Sequence, residues 1–219
     1  AADGYTYYMA EALLDKVLGK LAKEEEPAYE VLETYKGKDL EYKEYEPLFN
    51  FVTPDKKAYY VTCDSYVTLT DGTGIVHIAP TFGADDANVA RAAGIPSLFM
   101  INKKGETRPM VDLTGKFYIL DELDENFVKE CVDVDKYKEY QGAWVKNAYD
   151  PQFMVDGKYD EKAAQAAESL DVALCMMMKA NNQAFKIEKH VHNYPHCWRT
   201  DKPVLYYCLL YTSDAADDL

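Results

Sequence analysis

The chain has 219 residues, with 24 Lys and Arg against 38 Asp and Glu, a formal charge of −14, and 48% of its residues are hydrophobic. That apolar fraction supports a packed core and excludes a chain disordered throughout. The acidic balance argues against generic nucleic-acid binding through a net positive field, leaving such contacts to local basic patches.

In chain order, residues 4–9 (GYTYYM) read as a strand. Residues 11–26 follow as a helix with Leu13, Leu14, Val17, Leu18 and Leu21 on one stripe. Residues 29–37 are strand-like and stop at Gly37. The acidic, tyrosine-rich run 38–57 reads as a connecting loop broken by Pro47 and Pro54. AYYVTCDSYVT (58–68) and GIVHIA (74–79) are further strands. DDANVARAAG (85–94) is a short helix closed by Gly94 with Pro96 behind it. PSLFMIN (96–102) returns as a strand into the turn KKGE, and helical segments follow near 121–132. The Ala, Leu and Met content of 161–181 predicts one longer helix, and 184–197 alternates as a late strand. Strands and helices mix without βαβ alternation or repeats. The expected fold is α+β, a mixed barrel-like sheet core with peripheral helices, not a doubly wound sheet.

Cys63, Cys131, Cys175, Cys197 and Cys208 are odd in number and contain no C-x-x-C pair. No disulfide framework is expected, and a reducing cytoplasm suits the chain. No secretory leader opens it, and runs such as VALCMMM are too short to span a bilayer, so no membrane partner is expected. GTG at 72–74 fits neither the dinucleotide nor the P-loop pattern. Residues from about 209 onward carry no pattern and read as a tail foreign to the fold.

Two clusters carry chemistry. In GTGIVHIAPTFGADD (72–86), His77 interrupts an apolar run, and Asp85 and Asp86 open a helix. A first-turn acid is ordinarily a helix-start residue, favoured by the dipole and the free N–H groups. A lone strand histidine is ordinarily just packed. In HVHNYPHCWRTDKP (190–203), three histidines and Cys197 fall within eight residues, a spacing that matches no standard zinc pattern. The plain reading there is a strand and a proline-fixed turn, with Trp198 packed and Arg199 paired. A Cys197–His196 nucleophile pair is discounted, because sequence neighbours seldom face each other.

Taken together, DGTGIVHIAPTFGADD and YPHCWRTDKPVLYY resemble two stretches of the isoleucyl-tRNA synthetases, both in the large insertion that performs editing. The resemblance covers residues 1–207. His77 and residues 194–199 set it apart from the valyl and leucyl relatives. It implies an editing-domain fold of the valyl/leucyl/isoleucyl type over 1–207, and a divergent tail over 208–219. It implies hydrolysis of the ester in mischarged valyl-tRNA(Ile), within an enzyme that ligates isoleucine to tRNA with ATP. Asp86 would hold the substrate's ammonium group, and His77 would line the pocket that admits valine and rejects isoleucine. Thr73, Gly74, Pro80, Phe82 and Gly83 would complete the substrate site. Implied partners are the 3′ end of tRNA(Ile), the valine moiety and the synthetic core of such an enzyme, in the cytoplasm. One methylene is worth only about 1–3 kcal/mol in an apolar pocket, the isoleucine–valine pair being itself the established example, so a second sieve is needed.

The departures bound the reading. The family's threonine-rich pocket strand is expected just ahead of residue 1, and no H-I-G-H or K-M-S-K-S type signature occurs. ATP and magnesium would serve other parts of such an enzyme, and no cofactor is assigned to this chain. Thr200 stands where the family often has a second cysteine, which puts a shared zinc site in doubt, and no metal ligand is assigned. The chain is therefore expected to be a piece of a synthetase. The alternatives are an inert tRNA-binding fragment and a stand-alone deacylase.

Overall fold

The computed structural model describes residues 3–21, 28–156, 158–189, 194–199 and 203–207. Their α-helices are α1 (Leu14–Leu18), α2 (Ala84–Ala93), α3 (Glu125–Cys131), α4 (Val134–Tyr137), α5 (Glu161–Ala166) and α6 (Leu170–Ala180). The strands are β1 (Met100–Ile101), β2 (Thr107–Arg108), β3 (Met154–Val155) and β4 (Lys158–Tyr159), paired antiparallel as β1–β2 and β3–β4. Met100 faces Arg108 and Met154 faces Tyr159. The protein is thus mixed α and β, with two small hairpins.

The barrel-like core is not formed: among the described residues each sheet has two strands, and neither closes. The runs read as strands at 4–9, 29–37, 58–68 and 74–79 form no named strand. Composition suits them to strands, but a ladder also needs a partner in register. Here pairing between distant segments reduces to single bridges such as Glu44 with Tyr60, Val52 with Val132 and Lys116 with Trp144. Of the late strand, residues 184–189 form none, His196 bridges Pro203, and 190–193 lie outside the described residues.

Helical readings fared better. The 11–26 helix is a short α1 between 3-10 turns at Glu11–Leu13 and Gly19–Leu21, and residues 22–27 lie outside the described set. The single helix expected over 161–181 is two, α5 and α6. Each has its own cap: the Asp160 side chain accepts from Ala163 N at 3.0 Å, and Ser169 Oγ accepts from Val172 N at 3.4 Å. Asn147 Nδ2 donates to Ala164 O at 2.9 Å and approaches Ala167 O and Glu168 O at 3.4 Å. It satisfies carbonyls that a continuous helix would keep for itself, and so ends α5.

The core gathers where α3 and α4 meet β1. Val52, Met100, Leu123 and Tyr137 are buried together, flanked by Phe51, Leu98, Tyr118 and Phe127. Asp124 caps α3 by accepting from Phe127 N at 2.9 Å. Tyr137 buries its ring and donates its hydroxyl to Tyr118 O at 2.7 Å, which satisfies the one polar atom that enters with it. Truncating Met100 or Leu123 to Ala would cost about 2–5 kcal/mol. This core is tied to α2 through Thr81, whose buried hydroxyl donates to Leu98 O at 3.0 Å.

Candidate functional site

Residues 69–86 form a looped segment held at both ends. At its start, Lys16 from α1 reaches Thr70 O at 2.8 Å and Asp71 Oδ1 at 2.9 Å. Ala10 N donates to Thr73 O at 2.8 Å. Gly74 has φ +75°, and a Cβ there would lie 2.5 Å from Ala10 Cβ, so only glycine lets the two segments approach.

At its end, a tight turn feeds α2. Phe82 N and Gly83 N both donate to Ala79 O, at 2.9 and 3.0 Å. Gly83 caps the helix with extended backbone (φ −112°, ψ 131°), which puts Asp85 and Asp86 in the first turn. At the other end Gly94 takes the left-handed conformation (φ 74°), and Ile95 N donates back to Ala90 O at 2.8 Å. Val89 and Ala90 bury the inner face of this helix.

The two aspartates separate as helical geometry requires, about 100° apart. Asp85 is exposed. Asp86 is half-buried and its carboxylate folds back across the turn: Oδ2 accepts from Ala79 N at 2.9 Å and Oδ1 from the Tyr66 hydroxyl at 3.1 Å. A carboxylate offers about four acceptor positions, more than these two bonds use. Gly83 is the floor beneath it, since a Cβ there would stand 2.5 Å from Asp86 Oδ2. Burial, then the hydrogen bond to Asp86, pushes the Tyr66 phenol up to about 12, with Asp64 and Asp85 adding to the rise. Three carboxylates thus make the surroundings of this hydroxyl anionic, an environment that attracts a cation.

The segment's other predicted residues take distinct places. Gly83 touches the Asp86 carboxylate. Pro80 and Phe82 lie, partly covered, in the turn between Ala79 and Gly83, while Thr73 and Gly74 sit against Ala10 at the far end. Thr73 Oγ1 donates to Ile75 O at 3.3 Å. His77 is exposed, between two such anchored ends, and its neighbours Ile75 and Val76 are about half exposed, at 51% and 50%. Sequence reasoning missed Tyr66 and the Ala79 N–H as partners of Asp86; nothing in the local pattern of 64–68 announces a phenol aimed at a helix twenty residues on.

The histidine cluster resolves only in part. His190, His192 and Thr200 lie outside the described residues, as do Cys208 and the tail. Trp198 is not packed: it is 85% exposed, and the Arg199 guanidinium lies 4.6 Å from its ring centre. Cation and ring meet in a turn, in a cation–π contact that leaves the ring open to solvent. Among the described residues Cys63, Cys131 and Cys175 form no disulfide. Among the described residues no group of three His, Cys, Asp or Glu could hold a metal ion, and no helix is long and apolar enough to cross a membrane.

No protein-family model matches the chain. Curated proteins do. Over 192 residues it is 79% identical to the isoleucine–tRNA ligase of Bacteroides thetaiotaomicron, covering 83% of this chain and 16% of that one. It is 66% identical over 181 residues to the isoleucine–tRNA ligase of Bacteroides fragilis, covering 83% of this chain and 15% of that one. It is 41% identical over 214 residues to that of Cytophaga hutchinsonii, covering 92% and 18%. The chain therefore spans about one sixth of the length of the relatives it matches.

Proposed function

Because this chain is homologous to a segment of isoleucine–tRNA ligases, we propose that residues 1–207 are the editing domain of such an enzyme, with 208–219 lying outside that fold. In this reading the domain hydrolyses the ester of valyl-tRNA(Ile), while ligation of isoleucine with ATP and magnesium takes place elsewhere in the enzyme. The partners are the 3′ end of tRNA(Ile), the valine moiety and the synthetic core, in the cytoplasm.

The observation that carries the reading is the Asp86 carboxylate, fixed by one backbone and one phenolic donor, with acceptor positions to spare. An aminoacyl ester carries an α-ammonium group next to the carbonyl to be cleaved. A prefixed carboxylate holds that ammonium without reorganising, and so places the carbonyl for attack. Water adds to the ester carbon, the ribose oxygen leaves with a proton, and the amino acid departs. The ester is already activated, so no covalent nucleophile is required, which fits the absence of any nucleophile–base pair in this segment. His77, exposed between the two anchored ends, borders the side-chain pocket and sets its size limit.

The test is hydrolysis of valyl-tRNA by the chain carrying the family's threonine-rich strand at its N-terminus. Losing one partner of a partly buried charge pair costs about 3–5 kcal/mol, more than a hundredfold in rate when felt in the transition state. Asp86→Ala should nearly abolish hydrolysis, and Asp85→Ala should leave it close to the parent rate. A dead Asp85→Ala beside an active Asp86→Ala would reject the assignment.

A further inference from the structure

Helix α2 has a second functional end. At its C-terminus a cavity of about 300 Å³ is lined by Tyr42, Lys56, Lys57, Tyr60 and Gly94. This is the lower bound of the volumes that hold small ligands. We propose that the cavity binds one nucleotide of single-stranded RNA, its base against the Tyr42 ring and its phosphate at Lys56. The inference rests on the editing reading and adds a subsite for the strand that bears the ester.

Tyr42 is the reason to single out this cavity. Its backbone is left-handed, φ +66°, a conformation that costs a bulky residue energy and persists only where neighbours enforce it. They do: Tyr42 N donates to Val61 O at 2.8 Å, Val61 N donates to Lys43 O at 2.9 Å, and Glu44 bridges Tyr60. The strain secures no burial, because Tyr42 is 65% exposed. What it secures is a ring presented to solvent at the lip of a cavity. Behind it, Tyr60 donates its hydroxyl to Ala93 O at 2.9 Å, and its ring centre lies 6.0 Å from that of Tyr42. One ring is anchored to the helix end and the other is open, a platform for a planar guest.

The lysines divide the ionic work. Lys57 is neutralised by an ion pair with Glu44 and sits 6.0 Å from the Tyr60 ring centre. Lys56 is exposed and has no ion pair among the described residues. One free cation accommodates one phosphate. Glu41 and Asp55 stand close in sequence and would repel a longer polyanion, as would the chain's charge of −14. Stacking therefore supplies most of the affinity, and stacking on a tyrosine tolerates any base.

Position links this cavity to the ester. Gly94 lies eight residues along α2 from Asp86, about 12 Å at 1.5 Å per residue. A stacked strand rises ~3.4 Å per nucleotide. A strand ending at Asp86 would bring a nucleotide about three from its terminus to Tyr42.

The test uses a small RNA hairpin with a four-nucleotide single-stranded 3′ extension, and the same hairpin without it, titrated into the 219-residue chain by fluorescence anisotropy. Tyr42→Ala should weaken binding of the extended hairpin about tenfold, the lower range for one base stacked on an aromatic ring, while Tyr42→Phe keeps it. Tyr42→Gly removes the ring and relieves the backbone together, so it should melt higher than the parent yet bind as weakly as Tyr42→Ala, separating binding from folding. Lys56→Ala should reduce the salt slope by about 0.7, one phosphate on a single strand. Equal affinity of Tyr42→Ala and the parent, or no preference for the extension, overturns the inference. The editing reading is scored separately, by hydrolysis of a valyl ester on that RNA by the N-terminally extended chain, with and without Asp86. Loss of affinity in Tyr42→Ala beside no hydrolysis by the extended chain keeps the subsite and rejects editing; hydrolysis by the extended chain with an inert Tyr42 does the reverse.

Discussion

Gly83→Ala is a substitution whose effect should run through another residue. The backbone at Gly83 (φ −112°, ψ 131°) is one that alanine adopts without strain. The added methyl would stand 2.5 Å from Asp86 Oδ2, 2.8 Å from Cγ and 3.0 Å from Cβ. The carboxylate must swing aside, giving up Ala79 N at 2.9 Å and the Tyr66 hydroxyl at 3.1 Å. A hydrogen bond to a charged group is worth about 1.5–3 kcal/mol. The site is half-open, so water recovers part of the loss, and a net cost of about 2–3 kcal/mol is expected. For a domain of this size that is roughly 4–12 °C in Tm. The assay is thermal and urea unfolding of Gly83→Ala, Asp86→Ala and the double variant. Once Asp86 is gone the methyl has little to strike, so adding Gly83→Ala to Asp86→Ala should cost at most about 1 kcal/mol, the loss of a glycine at the N-cap. The two changes should therefore couple by at least about 1 kcal/mol. Additive costs would refute the idea that Gly83 is the floor of the Asp86 site.

His77→Ala in the N-terminally extended chain should let isoleucyl-tRNA be hydrolysed alongside valyl-tRNA, losing discrimination worth about 1–3 kcal/mol; an unchanged ratio of the two rates would make His77 an ordinary surface residue. Tyr66 should make the fold sensitive to alkali. Its phenol is raised to about 12 from an ordinary value near 10, so the folded state favours the neutral form, and its contribution is complete below pH 10 and lost as pH climbs through 12. Tyr66→Phe should flatten the fall in stability between pH 10 and 12, measured by urea midpoints; a curve parallel to the parent would count against the Asp86–Tyr66 contact.

What the sequence made legible follows from the range of the interactions. Helix α2 was readable because its signals are local: acids in the first turn, an alanine-rich body, and Gly94 placed where the chain must turn left-handed. The break between α5 and α6 was not readable. Its cause is a side chain fourteen residues before α5, Asn147, and helix propensity carries no trace of it. The strand readings fell short for a related reason. Alternation at 58–68 and 74–79 specifies a face, but a ladder depends on a partner elsewhere in the chain, and Pro47, Pro54 and the left-handed Tyr42 interrupt the neighbouring segment.

The candidate site shows the same division. Asp86 stood out from Asp85 by resemblance, and the structure supplies a physical difference between them: one carboxylate is folded into the turn and the other is left to solvent. What holds Asp86 is a backbone N–H seven residues earlier and a phenol twenty residues earlier, so the carboxylate is fixed by the fold of the whole segment. That has a consequence for a bound strand. Helix α2 is ten residues long, about 15 Å, capped at both ends and anchored along its inner face by Val89 and Ala90. Asp86 is fixed to its first turn and the Tyr60 hydroxyl to its last. In the proposed reading, with an ammonium held at Asp86 and a base at Tyr42, this helix would set the distance between the ester and the nucleotide behind it. A strand that satisfied both ends at once would be held in one register, because once the first contact had formed the fixed spacing would make the second an intramolecular step.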